Sequence, residues 1–174
     1  MAARGFAAAD VPVILNPTLK ALMPDPSTLR DMDAAADRLA RAIEKREAVV
    51  IFGDYDVDGA SSSALLYRFF RHHGLEPRIY IPDRLFEGYG PNDAAIETLV
   101  KDGAQLIVTA DCGTTSTGPL NRAKELGCDV VVIDHHQADE ALPPACAVVN
   151  PNRQDHQSGP GHVGAARVAP RSAP

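Results

Sequence analysis

Residues 48–59 read Ala48-Val49-Val50-Ile51-Phe52-Gly53-Asp54-Tyr55-Asp56-Val57-Asp58-Gly59. The opening apolar run is β-branched at its centre and stopped by glycine, which is how a strand buried on both faces reads. The same signature returns at Ile79-Tyr80-Ile81, Leu106-Ile107-Val108-Thr109-Ala110, Val130-Val131-Val132-Ile133 and Ala147-Val148-Val149. Helical spacing of apolar residues fills the intervals. Met32, Ala36, Leu39 and Ile43 mark a leading helix between Ser27 and Glu47, and Leu65, Leu66, Phe69 and Phe70 one over Ser61–His73. Ala95, Ile96 and Leu99 mark Asn92–Lys101, and Leu120, Ala123 and Leu126 mark Thr117–Leu126. Alternating strands and helices predict right-handed βαβ units: an α/β fold with a mostly parallel five-stranded sheet and helices on both faces.

In open sheets of this type the chemistry lies beyond the carboxyl ends of the strands. Three of the predicted strands end in acids: Asp54, Asp56 and Asp58 after the first, Asp111-Cys112-Gly113 after the third, and Asp134-His135-His136 after the fourth. Carboxylates crowded along one sheet edge repel, unless they retain protons or bind a cation. A divalent metal is the economical solution. Carboxylates with imidazoles suit Mn²⁺ well, Mg²⁺ less well and Zn²⁺ least, and several aspartates shared between two ions is the two-metal phosphoesterase arrangement.

Blander readings compete residue by residue. Asp54–Gly59 matches the opening of a calcium loop, but the bidentate Glu such a loop needs at its twelfth position is here Leu65. Asp58 alone reads as the N-cap of the helix that Gly59-Ala60-Ser61 opens, and Asp111 and Asp134 could cap helices too. Three strand ends that each supply ligand-type residues are harder to explain by capping. Cys112 reads as a small packing residue, since no base stands ready to activate it. No G-x-x-x-x-G-K phosphate loop is present, and the one G-x-G-x-x-G match, Gly159-Pro160-Gly161-His162-Val163-Gly164, does not directly follow an apolar strand run as a nucleotide-cradling loop requires.

The 174 residues, 45% of them apolar, suit one α/β-sized domain and exclude fibrous and fully disordered classes. No apolar run approaches the ~18–20 residues of a membrane span, and the N-terminus lacks the apolar core of a secretory signal, so a cytoplasmic protein is expected. Three cysteines outside CxxC spacing suggest neither a disulfide framework nor a thiolate zinc site. The net charge of −6 argues at first against a nucleic-acid partner. Residues 51–150, however, hold fifteen acidic and seven basic side chains, and the strand-end aspartates account for five of those acids. The acidity thus coincides with the candidate metal centre, and two divalent ions would raise the formal charge from −6 to −2.

Asp54-Tyr55-Asp56-Val57-Asp58-Gly59, Asp111-Cys112-Gly113 and Asp134-His135-His136, in that order, resemble the motifs of the DHH phosphoesterase superfamily. Pro82-Asp83-Arg84, Glu87-Gly88-Tyr89-Gly90 and Val149-Asn150-Pro151-Asn152 narrow the likeness to its RecJ-type branch of single-strand-specific 5′ to 3′ DNA exonucleases. The small pyrophosphatases of the superfamily carry a His where this chain has Phe52, which points away from them. The resemblance implies a metal-dependent exonuclease of DNA repair and recombination, with single-stranded DNA as partner and two Mn²⁺ or Mg²⁺ ions. It implies that Asp56 and Asp58 each hold one metal, that Asp111 bridges them and that His135 completes the second site. His136 would face the scissile phosphate, with Asp54 and Asp134 orienting ligands. Arg84 and Tyr89 would engage a single strand by charge and stacking, and His162, in a glycine-rich turn, would contact substrate. A structural role for Tyr89 in the Gly88–Gly90 turn is an equal reading.

The expected organisation is an N-terminal extension and leading helix over 1–47, the DHH catalytic domain over 48–158 and an aberrant tail over 159–174. The superfamily supplies a further aspartate and a closing second domain, and nothing after residue 150 matches either. A truncated form with impaired activity is therefore expected. Two alternatives stay open: a DHH-type phosphodiesterase for short oligonucleotides or cyclic dinucleotides, and an inactive fragment.

Overall fold

The computed structural model describes Ala9 and residues 11–18 and 25–153. After a short helix α1 (Val11–Leu15) and a 3₁₀ turn at Pro26–Thr28 come α2 (Met32–Lys45), β1 (Val49–Gly53), α3 (Val57–His72) and β2 (Arg78–Tyr80). There follow α4 (Asp93–Lys101), β3 (Leu106–Ala110), α5 (Thr117–Glu125), β4 (Asp129–Ile133) and β5 (Ala147–Val149). All five strands are parallel, in the order β2-β1-β3-β4-β5. The fold class read from the sequence holds, with every pairing parallel rather than most.

The apolar runs lack alternation because both faces are covered. Val50, Phe52, Ile107, Val130 and Val132 pack under Ala95, Ile96 and Leu99 of α4 and Leu120 and Ala123 of α5. Val49, Ile51, Leu106, Val108 and Val131 face the other way, toward Ala35 and Ala42 of α2 and Phe70 of α3. Within the expected 27–47 span, the helix occupies only Met32–Lys45, because the chain turns left-handed at Asp31 (φ 59°) and again at Arg46 (φ 54°). No helix connects β4 to β5; residues 134–146 make the parallel crossover as an irregular segment. The outer edge of β5 is sealed by side chains: the Val148 amide donates to Asp31 Oδ2 at 3.1 Å and its carbonyl accepts from Arg153 Nη1 at 2.7 Å. Such capping denies the edge to a second strand.

At the amino ends of the strands, buried Arg38 joins two elements, donating to Glu47 Oε2 and Asp129 Oδ2 at 2.6 Å each. Removing one partner of a buried ion pair leaves an uncompensated charge. Arg38→Ala is expected to destabilise the fold by about 3 kcal/mol, read as a lowered urea midpoint with an unchanged slope. Among the described residues no helix is long and apolar enough to cross a membrane.

The order of the strands fixes where a site can form. From β1 the chain goes to one side, through α3 to β2, and then returns past β1 to β3. Connections leave β1 and β3 in opposite directions, which opens a crevice at their carboxyl ends.

Candidate metal centre

Asp54 and Asp56 follow β1 directly, and Asp56 caps α3: its Oδ1 accepts from the amides of Asp58 at 3.0 Å and Gly59 at 2.9 Å. That cap starts the helix at Val57, four residues before the expected Ser61, and it places Asp58 in the first turn rather than at the cap. Asp111 ends β3 in a left-handed conformation (φ 65°), its amide donating to Ile133 O at 2.9 Å. Asp134, His135 and His136 follow β4.

Two buried aspartates of this group are in opposite situations. Asp134 is fully engaged: Oδ1 accepts from the amides of His135 (2.7 Å) and His136 (3.2 Å) and lies 2.8 Å from His136 Nδ1, while Oδ2 accepts from the Thr114 amide at 3.1 Å. Burial alone would raise its carboxyl, but the bonds from Thr114 and His136 prevail and hold it below the usual range. Asp111 has neither oxygen hydrogen-bonded. His135 Nε2 stands 2.8 Å from Asp111 Oδ1, in ion-pair range but off the direction of a hydrogen bond. Burial, together with the Asp56 carboxyl beside it, pushes the Asp111 carboxyl up. Asp54, buried with Oδ1 unpaired, is raised by burial and by Asp56, against the opposing charges of Arg84 and His136. Asp56 goes the other way, held low first by the Gly59 amide. A buried carboxylate without donors is costly in water-free surroundings unless a cation completes it.

The ligand atoms group accordingly. Asp111, His135 and His136 bring donor atoms within 4.8 Å of one another, as do Asp54, Asp56 and Asp111. Asp111 belongs to both sets, which is what a carboxylate between two ions requires. Asp58 stands in neither; it lines the adjoining cavity of about 310 Å³ with Ser61, Ser62, Asp111 and His135. The residue types, oxygen and imidazole without thiolate, fit Mn²⁺ or Mg²⁺ chemistry. A larger groove of about 400 Å³ lies between α2 and α3, lined by residues such as Met32, Leu39 and Phe69, and holds none of these groups.

Of the other residues singled out from sequence, Arg84 lies with its guanidinium 4.6 Å from the centre of the Tyr55 ring. The Tyr89 hydroxyl donates to the carbonyl of Asp111 at 2.9 Å and lies 3.1 Å from His136 Nδ1. Cys112 is wholly buried and its thiol is pushed up by burial first and by Asp134 next, which suits a packing residue. His162 lies outside the described residues. Sequence reasoning gave no role to Asn150, which is fully buried at the end of β5. Its Nδ2 donates to Thr114 Oγ1 at 2.8 Å and to His136 O at 2.9 Å, and its Oδ1 accepts from the Asn152 amide at 2.7 Å. Asn152 Nδ2 in turn bonds His135 O. The two asparagines clamp the backbone of the His pair; in sequence they stand out only within Val149-Asn150-Pro151-Asn152, a motif of the resemblance that carries no hint of this contact.

Fold and site together define a parallel α/β domain with a carboxylate–imidazole cluster at its strand ends, and the chain belongs to the DHH family, whose N-terminal domain matches residues 48–167. Among named proteins it is similar to the single-stranded-DNA-specific exonuclease RecJ of Bacillus subtilis strain 168, at 38% identity over 150 residues, covering 86% of this chain and 19% of that protein. A crystal structure of exonuclease RecJ bound to manganese matches with a TM-score of 0.66 and 34% identity, over 71% of this chain and 31% of that one. RecJ from Thermus thermophilus in complex with Mn²⁺ matches with a TM-score of 0.66 and 30% identity, over 94% of this chain and 22% of that one. The chain thus spans about a fifth of the length of the curated relative.

Proposed function

We propose that this chain carries the metal-holding part of a 5′ to 3′ exonuclease for single-stranded DNA. The observation that carries the reading is Asp111: buried, without a hydrogen-bond donor, and shared by two sets of ligand-type side chains, in a chain of the DHH family. Asp56 and Asp58 would hold one ion each, Asp111 would bridge them and His135 would complete the second site. Two such ions would supply Lewis-acid polarisation of a phosphodiester and bring the pKa of bound water down toward neutrality. Asp134 keeps the His136 ring in place through Nδ1, and the other ring nitrogen, 3.4 Å from the Tyr89 hydroxyl, would meet a phosphate oxygen. Burial would lower the His136 imidazole, but the hydrogen bond and charge of Asp134 raise it, which favours the cation that a phosphate prefers. Arg84, whose charge acts on Asp54, supplies charge for the strand, and a substrate contact is assigned to His162 by the resemblance alone.

The test is release of nucleotides from 5′-ended single-stranded DNA by this chain in Mn²⁺. Release is expected to be slow and distributive, to stop on chelation, and to fall by roughly a hundredfold in His136→Ala. Faster turnover of a dinucleotide than of a long strand would move the reading to a small-substrate phosphodiesterase; no metal-dependent release from either would end it.

A further inference from the structure

Among the described residues, only three that are not glycine have positive φ: Asp31 and Arg46, at the ends of α2, and Asp111, inside the site. A left-handed residue with a side chain costs on the order of 1 kcal/mol and persists only where its surroundings hold it. What holds Asp111 is visible on both sides of its backbone. Its amide donates to Ile133 O on β4 at 2.9 Å, and its carbonyl accepts the Tyr89 hydroxyl at 2.9 Å. The backbone is thus fixed at both polar atoms, while the carboxylate has no donor and is left for a cation.

Tyr89 reaches this carbonyl because Gly88 (φ 83°) and Gly90 (φ 74°) turn the loop sharply on either side of it. Its ring meets His136 edge-on at 5.6 Å, so one side chain touches both the shared aspartate and the imidazole opposite. A phenol hydroxyl is an ordinary hydrogen-bond donor, and here it donates to the Asp111 carbonyl.

We propose that Tyr89 is a positioning residue for the metal centre: its hydroxyl pins the Asp111 peptide so that the carboxylate is presented, already oriented, to both ligand sets. This goes beyond base stacking, the role the resemblance implies for this side chain, and it rests on the metal reading above. Such orienting partners are commonly worth 10–100-fold in metal affinity.

The experiment is calorimetric Mn²⁺ titration of the full chain as wild type, Tyr89→Phe, Asp111→Asn and the double variant, with Tyr67→Phe as a hydroxyl deletion remote from the site. Tyr89→Phe, which keeps the ring and removes only the hydroxyl, should weaken Mn²⁺ by about tenfold. In the Asp111→Asn background the same change should weaken it no further, because the effect passes through the carboxylate; Tyr67→Phe should bind as wild type. A general structural role would lower affinity equally in both backgrounds, and that result overturns the proposal, as does wild-type affinity in Tyr89→Phe. Absence of Mn²⁺ binding by the wild type would overturn the metal reading itself, and this inference with it.

Discussion

Asp111→Asn is expected to weaken Mn²⁺ binding by at least about a hundredfold while leaving the metal-free protein at least as stable as wild type. The two halves of this result have one cause. In the metal-free chain Asp111 is a buried carboxylate with neither oxygen hydrogen-bonded and the Asp56 carboxyl beside it, an arrangement that pushes its proton affinity up. Asparagine has nearly the same shape, carries no charge, and accepts left-handed geometry as readily as aspartate, so the φ of 65° is no obstacle. The substitution therefore removes a desolvated charge without opening a cavity. What it also removes is the anion that both ligand sets share. Thermal melts with and without Mn²⁺ separate the effects: a ligand at a hundred times its Kd stabilises by about 2.7 kcal/mol, so wild type should melt higher in Mn²⁺. The variant should show little of that rise. A metal-free Asp111→Asn that melts well below wild type would mean that the carboxylate already serves a structural hydrogen bond, and an undiminished Mn²⁺ shift would mean that the ions are held elsewhere.

The sheet could be read from sequence for the reason that the runs do not alternate: Ile51 and Phe52 face opposite layers, and both are buried. The strand-end acids were legible as well, because acids directly after a buried strand have few structural uses. What could not be read depends on single contacts made across the fold. Asp56 rather than Asp58 caps α3, a choice between two aspartates two residues apart that only the bonds to the amides of Asp58 and Gly59 decide. Residues 134–146 cross between parallel strands without a helix, held in part by Cys146 N to Val130 O at 2.8 Å, and no periodicity announces that. Asn150 and Thr114 act through a bond 36 residues apart in sequence. The contrast between Asp134 and Asp111 was equally hidden. Both are aspartates at strand ends; one is surrounded by donors and the other by none, and the pattern of residue types is the same for each.

Gly59→Ala is the case where local propensity and packing predict opposite signs. Gly59 lies in the first turn of α3, and alanine in a helix is favoured over glycine by about 1 kcal/mol, so propensity alone predicts a more stable protein. A Cβ on Gly59 would sit 2.5 Å from the carbonyl oxygen of Asp54 and 2.7 Å from its carbonyl carbon and Cα. These are backbone atoms, and no side chain can swing aside to relieve the contact. Either α3 lifts from the end of β1 or the loop carrying Asp54 and Asp56 moves, and the bond from the Gly59 amide to Asp56 Oδ1 is strained in both cases. The clash should prevail by about 2–3 kcal/mol, lowering the melting temperature of the chain by roughly 5–10 °C. Mn²⁺ affinity should fall in the same variant, since two of the candidate ligands are displaced together. A Gly59→Ala chain that melts at or above wild type and binds Mn²⁺ unchanged would show that the glycine is dispensable to the approach of helix and strand. The last position of Asp54-Tyr55-Asp56-Val57-Asp58-Gly59 would then need another explanation. On the geometry it is glycine because the helix bearing Asp58 starts against the backbone of Asp54, and only a residue without a side chain lets Asp54 and Asp56 meet Asp111 while Asp58 lines the adjoining cavity.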